Sequence, residues 1–99
     1  MPTLLTGVGY IGAVLLRRLV EQPGAAPVVA LENFFCTPRA DVLAALPAGV
    51  TLVEGDAAEP IDVARAFDAL PSGGLRASTG AAPVTVFHLA AQPSAAVAV

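Results

Sequence analysis

Gly7, Gly9 and Gly12 stand in the spacing Gly-x-Gly-x-x-Gly directly after the run Leu4-Leu5-Thr6, and Glu32 follows Gly12 by twenty residues. That pattern suits a site for a pyrophosphate-linked dinucleotide. The first glycine makes a tight turn, the second lets the backbone approach the pyrophosphate, and the third lets a helix pack close to the sheet. A helix opening here aims its unpaired N–H groups and the positive end of its dipole at an anion. A carboxylate at Glu32 can accept hydrogen bonds from both hydroxyls of an adenosine ribose. It also repels a 2′-phosphate, which favours NAD over NADP. The plainer alternatives are a glycine-rich turn without a ligand and a solvated strand end.

The other residues able to do chemistry are few. Gly55-Asp56 follows an apolar run, where ligands of open α/β sheets bind, although such a pair alone is more often a turn and a helix cap. His88, inside Val86-Phe87-His88-Leu89, reads as a satisfied structural group rather than a base or a ligand. Cys36 is the only cysteine and has no partner at metal spacing, so it reads as an inert thiol. Phe34 and Phe35 could flank an adenine, but packing is the expected role. No metal site is expected from these residues.

Strands alternate with helices along the chain. Strands are predicted at residues 3–6, 28–32, 50–53 and 84–89, and helices at 10–21, 39–46 and 60–70. Helix 10–21 is expected to bury Ile11, Val14, Leu15, Leu19 and Val20, with Arg17, Arg18 and Glu21 towards water. Helix 60–70 opens on Pro60 and is expected to bury Ile61, Val63, Ala64, Phe67 and Leu70. The spacing implies βαβ units. The expected fold class is therefore α/β, a Rossmann-type parallel sheet of about four strands with flanking helices. Residues 1–99 form one dinucleotide-binding domain in this reading. The Pro-, Gly- and Ser-rich stretch at 71–83 is expected to be a flexible surface loop.

Composition bounds the function classes. The chain has 99 residues, is 56% hydrophobic, and carries a net charge of −3. Its basic residues are five scattered arginines, so no nucleic-acid footprint is expected. No apolar run reaches the roughly 20 residues of a membrane span. The start lacks a basic leader region and the lone cysteine suits a reducing compartment, so a cytoplasmic protein is expected.

Four landmarks now stand in order: Thr6-Gly7 to Gly12, then Val29-Ala30-Leu31-Glu32-Asn33-Phe34, Val53-Glu54-Gly55-Asp56, and Val86-Phe87-His88-Leu89-Ala90-Ala91-Gln92. Together they resemble the N-terminal part of the NAD-dependent epimerase/dehydratase family, within the extended short-chain dehydrogenases/reductases. The resemblance implies that Gly7, Gly9, Tyr10, Ile11 and Gly12 hold the pyrophosphate. It assigns Glu32 and Asn33 to the adenosine ribose, Asp56 and Ala57 to the adenine, and Leu89, Ala90, Ala91 and Gln92 to the nicotinamide side. The family's usual Thr-Gly-x-x-Gly-x-x-Gly is one residue longer than the turn found here, and its usual acid is aspartate rather than Glu32.

The family's chemistry uses a Tyr-x-x-x-Lys pair beyond the fourth strand, in which the lysine lowers the tyrosine pKa. This chain has no lysine, and its only tyrosine is Tyr10 in the glycine loop. The expected role is thus the NAD-binding portion of a nucleotide-sugar epimerase/dehydratase-like oxidoreductase, with nucleotide sugars as partners only of a longer form. Alternatives are a free-standing, non-catalytic NAD-binding module or a non-functional remnant. An apolar sheet edge at residues 84–89 and the apolar stretch 95–99 would favour self-association.

Overall fold

Leu4-Leu5 and Val28-Val29-Ala30-Leu31 are uninterrupted apolar runs, the pattern of strands that bury both faces. In a computed structural model, which describes residues 2–24, 26–70 and 84–90, they are the centre of a sheet. The elements are β1 (Thr3–Thr6), α1 (Tyr10–Glu21), β2 (Val28–Glu32), α2 (Arg39–Ala45), β3 (Val50–Glu54), α3 (Pro60–Asp68) and β4 (Thr85–His88). All pairings are parallel, and the strand order is β3-β2-β1-β4. The fold is an α/β parallel sheet of four strands with flanking helices, as an incomplete Rossmann-like domain would have. The stretch 71–83, Ala91, Gln92 and residues 95–99 lie outside the described residues.

Side chains alternate across the sheet because the strand period is two. Leu5, Val28 and Ala30 join Val8, Leu16 and Val42 in a core beneath α1 and α2. Leu4, Val29 and Leu31 join Ala66 and Leu70 in a second core beneath α3. The three layers leave the carboxyl ends of all four strands on one edge, and that edge carries the glycine loop.

Two expected helix faces are corrected. Ile11 is 72% exposed and Val14 is also exposed, whereas Leu16 is fully buried at the centre of the α1 contact. Gly12 sets this rotation. A Cβ there would lie 2.5 Å from the Gly7 carbonyl oxygen, so only glycine lets the helix sit this close. Leu15, Leu16 and Leu19 then fall on the Gly12 side, and Ile11 and Val14 turn away. In α3 the close approach is made by buried Ala66, which leaves Ile61 72% exposed and Val63 and Phe67 packed on the core.

Candidate dinucleotide site

The chain leaves β1 at Gly7, whose φ of +86° is a left-handed conformation that glycine adopts without steric cost. A Cβ at Gly7 would lie 2.7 Å from the Ala90 nitrogen and 2.8 Å from its Cα, so the loop also presses directly on the chain leaving β4. Gly9 then serves as N-cap of α1 with extended backbone and no capping side chain. The amides of Tyr10, Ile11 and Gly12 form the first turn, where no intrahelical acceptor exists. A Cβ at Gly9 would meet nothing within 4 Å. Two glycines of the three are thus required by contacts within the chain, and Gly9 faces open space.

Glu32 closes β2 and is only 7% exposed. Its Oε1 accepts the Val8 N–H at 2.6 Å and its Oε2 accepts the Phe34 N–H at 2.7 Å. The reading of Glu32 as a solvated strand end is therefore corrected: its carboxylate ties the glycine loop to the chain that follows β2. The second tie holds Phe34 at φ +60°, an uncommon conformation for a bulky residue. The Arg39 guanidinium lies 4.4 Å from the Phe34 ring centroid and donates to Glu54 Oε1 at 2.6 Å.

Asp56 continues the same edge after β3. Its Oδ1 accepts the Ala58 N–H at 2.8 Å, while its own N–H donates to Asp62 Oδ2 at 2.9 Å. Asp56 thus shapes the turn before α3, as expected for Gly55-Asp56, but the expected helix cap is corrected: the N-cap of α3 is Glu59, and no side chain caps it. Asp62, which sequence reasoning missed, holds that turn. The Asp56 N–H and then the Arg65 guanidinium, 2.9 Å away, favour its charged form and lower its pKa from the ordinary 3.8. Gly55 leaves room for it, since a Cβ there would lie 2.8 Å from Asp62 Cβ and Cγ.

These loops enclose an open cleft of about 510 Å³, within the range of small-molecule sites. Of the residues predicted to contact a cofactor, Gly7, Gly9, Glu32, Asn33, Asp56, Ala57, Leu89 and Ala90 line it. Tyr10 and Ile11 do not; their side chains are 89% and 72% exposed on α1, so only their amides could serve an anion. Gly12 lies buried under the loop. Phe35, Cys36, Thr37 and His88 also line the cleft. Among them His88 stands out, because Thr6 is its register partner on β1 and Thr6 Oγ1 lies 2.6 Å from its Nδ1.

The cleft spans the point where the strand order reverses. The chain proceeds outward from β1 to β2 to β3, then returns to the other side of β1 as β4. In open α/β sheets the crevice outside the strand carboxyl ends at such a reversal is where ligands bind.

No family model, curated protein or solved structure matches this chain. Among the described residues, no cluster of His, Cys, Asp and Glu could hold a metal ion, and no helix is long and apolar enough to cross a membrane.

Proposed function

We propose that this chain is an NAD-binding domain, the cofactor portion of an oxidoreductase resembling the nucleotide-sugar epimerases and dehydratases. The observation that carries this reading is the placement of the Gly7–Gly12 loop and the Glu32 carboxylate together in one cleft, at the reversal of strand order. The residues fit a dinucleotide. Gly9 leaves the backbone open to approach, the first turn of α1 offers free amides, and Glu32 borders the cleft with unused acceptor capacity. A carboxylate has about four lone-pair sites, and two backbone N–H groups occupy two of them. The others can take ribose hydroxyls.

Bound NAD would supply a hydride acceptor for chemistry on a sugar. This chain would supply binding and orientation: the glycine loop for the pyrophosphate, Glu32 and Asn33 for the adenosine ribose, Asp56 and Ala57 for the adenine. Leu89 and Ala90 would border the other nucleotide. The Tyr-x-x-x-Lys pair used by the family it resembles is absent from this sequence, which has no lysine and only Tyr10 as tyrosine, so turnover by that chemistry would need groups from elsewhere. The same observation favours, as a second reading, a module that binds NAD without catalysis. Either role fits the cytoplasm, whose reducing poise suits the exposed Cys36 thiol.

Calorimetric titration of the 99-residue chain with NAD and NADP tests the reading. NAD is expected to bind at least about tenfold more tightly, because a 2′-phosphate would face the Glu32 charge. Equal or tighter binding of NADP would overturn the selectivity, and no binding of either would overturn the function.

A further inference from the structure

Thr6 Oγ1, in a residue only 4% exposed, stands at the carboxyl end of β1. A buried hydroxyl that leaves its proton without an acceptor costs free energy, so that proton needs a partner. The Ala90 N–H approaches Thr6 Oγ1 as a donor at 3.4 Å, and His88 Nδ1 lies 2.6 Å from the same oxygen. The Ala90 N–H can only donate. The acceptor the structure offers the hydroxyl, among the described residues, is therefore the Nδ1 lone pair of His88. With Nδ1 accepting, the neutral imidazole carries its proton on Nε2, since the bond made by one ring nitrogen sets the state of the other.

We infer that Thr6 locks His88 in the Nε2–H tautomer, making His88 a hydrogen-bond donor to the nucleotide that lies over β4. The assignment rests on the proposed dinucleotide function. His88 is exposed and lines the cleft beside Leu89 and Ala90, on the side of the glycine loop opposite to Glu32 and Asp56. A dinucleotide straddling that loop places its adenosine over β2 and β3 and its second nucleotide over β4. A ribose oxygen of the second nucleotide is the acceptor that fits a neutral N–H donor there. The strand-borne histidine thereby acquires a binding role, in place of the purely structural one expected from its apolar surroundings.

Two measurements on the 99-residue chain test the inference. Long-range proton–nitrogen correlation spectra of the imidazole, in mildly alkaline buffer, should show an unprotonated Nδ1 and a protonated Nε2. Thr6→Val should turn this into a tautomer mixture, and a protonated Nδ1 in the wild-type chain overturns the lock. Titrations with NAD and with ADP then locate the donor. His88→Ala should weaken NAD binding about five- to tenfold, the worth of one hydrogen bond, and leave ADP binding unchanged. His88→Gln, which keeps an N–H near the same place, should recover most of the loss. Unchanged NAD affinity in His88→Ala, or an equal loss for ADP, overturns the role. A wild-type chain that binds neither nucleotide overturns the function reading, and with it the ligand assigned to His88, whatever the tautomer.

Discussion

Replacing Glu32 by glutamine keeps the shape of the side chain and removes the feature that makes it a tie. Glu32 and Glu54 are register partners at the carboxyl ends of the adjacent strands β2 and β3, yet their surroundings differ. Glu32 is buried and accepts two backbone N–H groups, those of Val8 and Phe34, at 2.6 and 2.7 Å. Glu54 is exposed and meets Arg39 with more than half of each side chain in solvent. A carboxamide at position 32 can turn its oxygen to only one of the two amides. Its NH₂ group then faces the other as donor against donor. One charge-assisted bond, worth about 1.5–3 kcal/mol, is lost, and the remaining one falls to the roughly 1 kcal/mol of a neutral bond. Water can relieve the half-buried Phe34 N–H but not the Val8 N–H, which is buried.

The expected cost of Glu32→Gln is therefore about 2–4 kcal/mol, a large part of the 5–15 kcal/mol that a domain possesses. Glu54→Gln is the matched control and should cost less than about 1 kcal/mol, as exposed ion pairs do. Urea unfolding followed by far-UV circular dichroism reads both. The Glu32→Gln midpoint should fall by about 1–2 M with an unchanged slope, and the Glu54→Gln midpoint should barely move. A Glu32→Gln loss below about 0.5 kcal/mol, the level of ordinary surface changes, would refute the reasoning. It would mean that the carboxylate is free for a ligand alone and that the glycine loop holds its shape without it.

Other perturbations separate fold from ligand in the same way. Gly9→Ala should lower the unfolding midpoint only by the roughly 1 kcal/mol of N-cap preference, since a Cβ there meets nothing within 4 Å, while weakening NAD in calorimetry by narrowing the approach to the backbone. Gly12→Ala should instead destabilise the chain by about 1–3 kcal/mol in urea, because its Cβ would overlap the Gly7 carbonyl oxygen. Asp62→Asn should reduce stability near neutral pH and have little effect in strong acid. The folded-state pKa of Asp62 is depressed, so its contribution is present above the ordinary value of 3.8 and is lost as pH falls through the lower folded value. Urea midpoints of the two proteins across an acid series should converge, and a constant difference would refute the charge-based account.

The strands and their order along the chain were legible because apolar runs bounded by Gly, Pro and Asp leave few alternatives. Helix rotation was less so. Ile11, Val14 and Ile61 are apolar by composition, but the residues buried against the sheet include Gly12 in α1 and Ala66 in α3, which carry little hydropathic signal. The spacing of Glu32 from the glycines marked it as important, yet not why. Its bonds to the Val8 and Phe34 amides exist only once β1 and β2 pair in register, Thr6 beside Leu31. The Thr6–His88 pair is more distant still, 82 residues apart in sequence and adjacent only through the parallel register of β1 and β4. Asp62 had a local cue, an acid in the first turn of a helix just after Gly55-Asp56, which could have marked it as the acceptor for that turn's amides.

The glycine motif carries less information about a ligand than its three positions suggest. Gly7 is required by a positive φ and by the backbone of Ala90, and Gly12 by the carbonyl of Gly7. Both would be needed in a chain with this sheet and this helix even if nothing ever bound. Gly9 is different. Its φ of −98° is outside the left-handed region, and no neighbouring atom excludes a side chain. The same holds on the acidic side, where the tie made by Glu32 explains a carboxylate without any ribose. What the contacts within the chain leave unexplained is an absent side chain at Gly9 and a tautomer-locked imidazole at His88, each bordering the one cleft at the strand reversal. These two residues, more than the motif as a whole, are where the proposed dinucleotide would leave its mark.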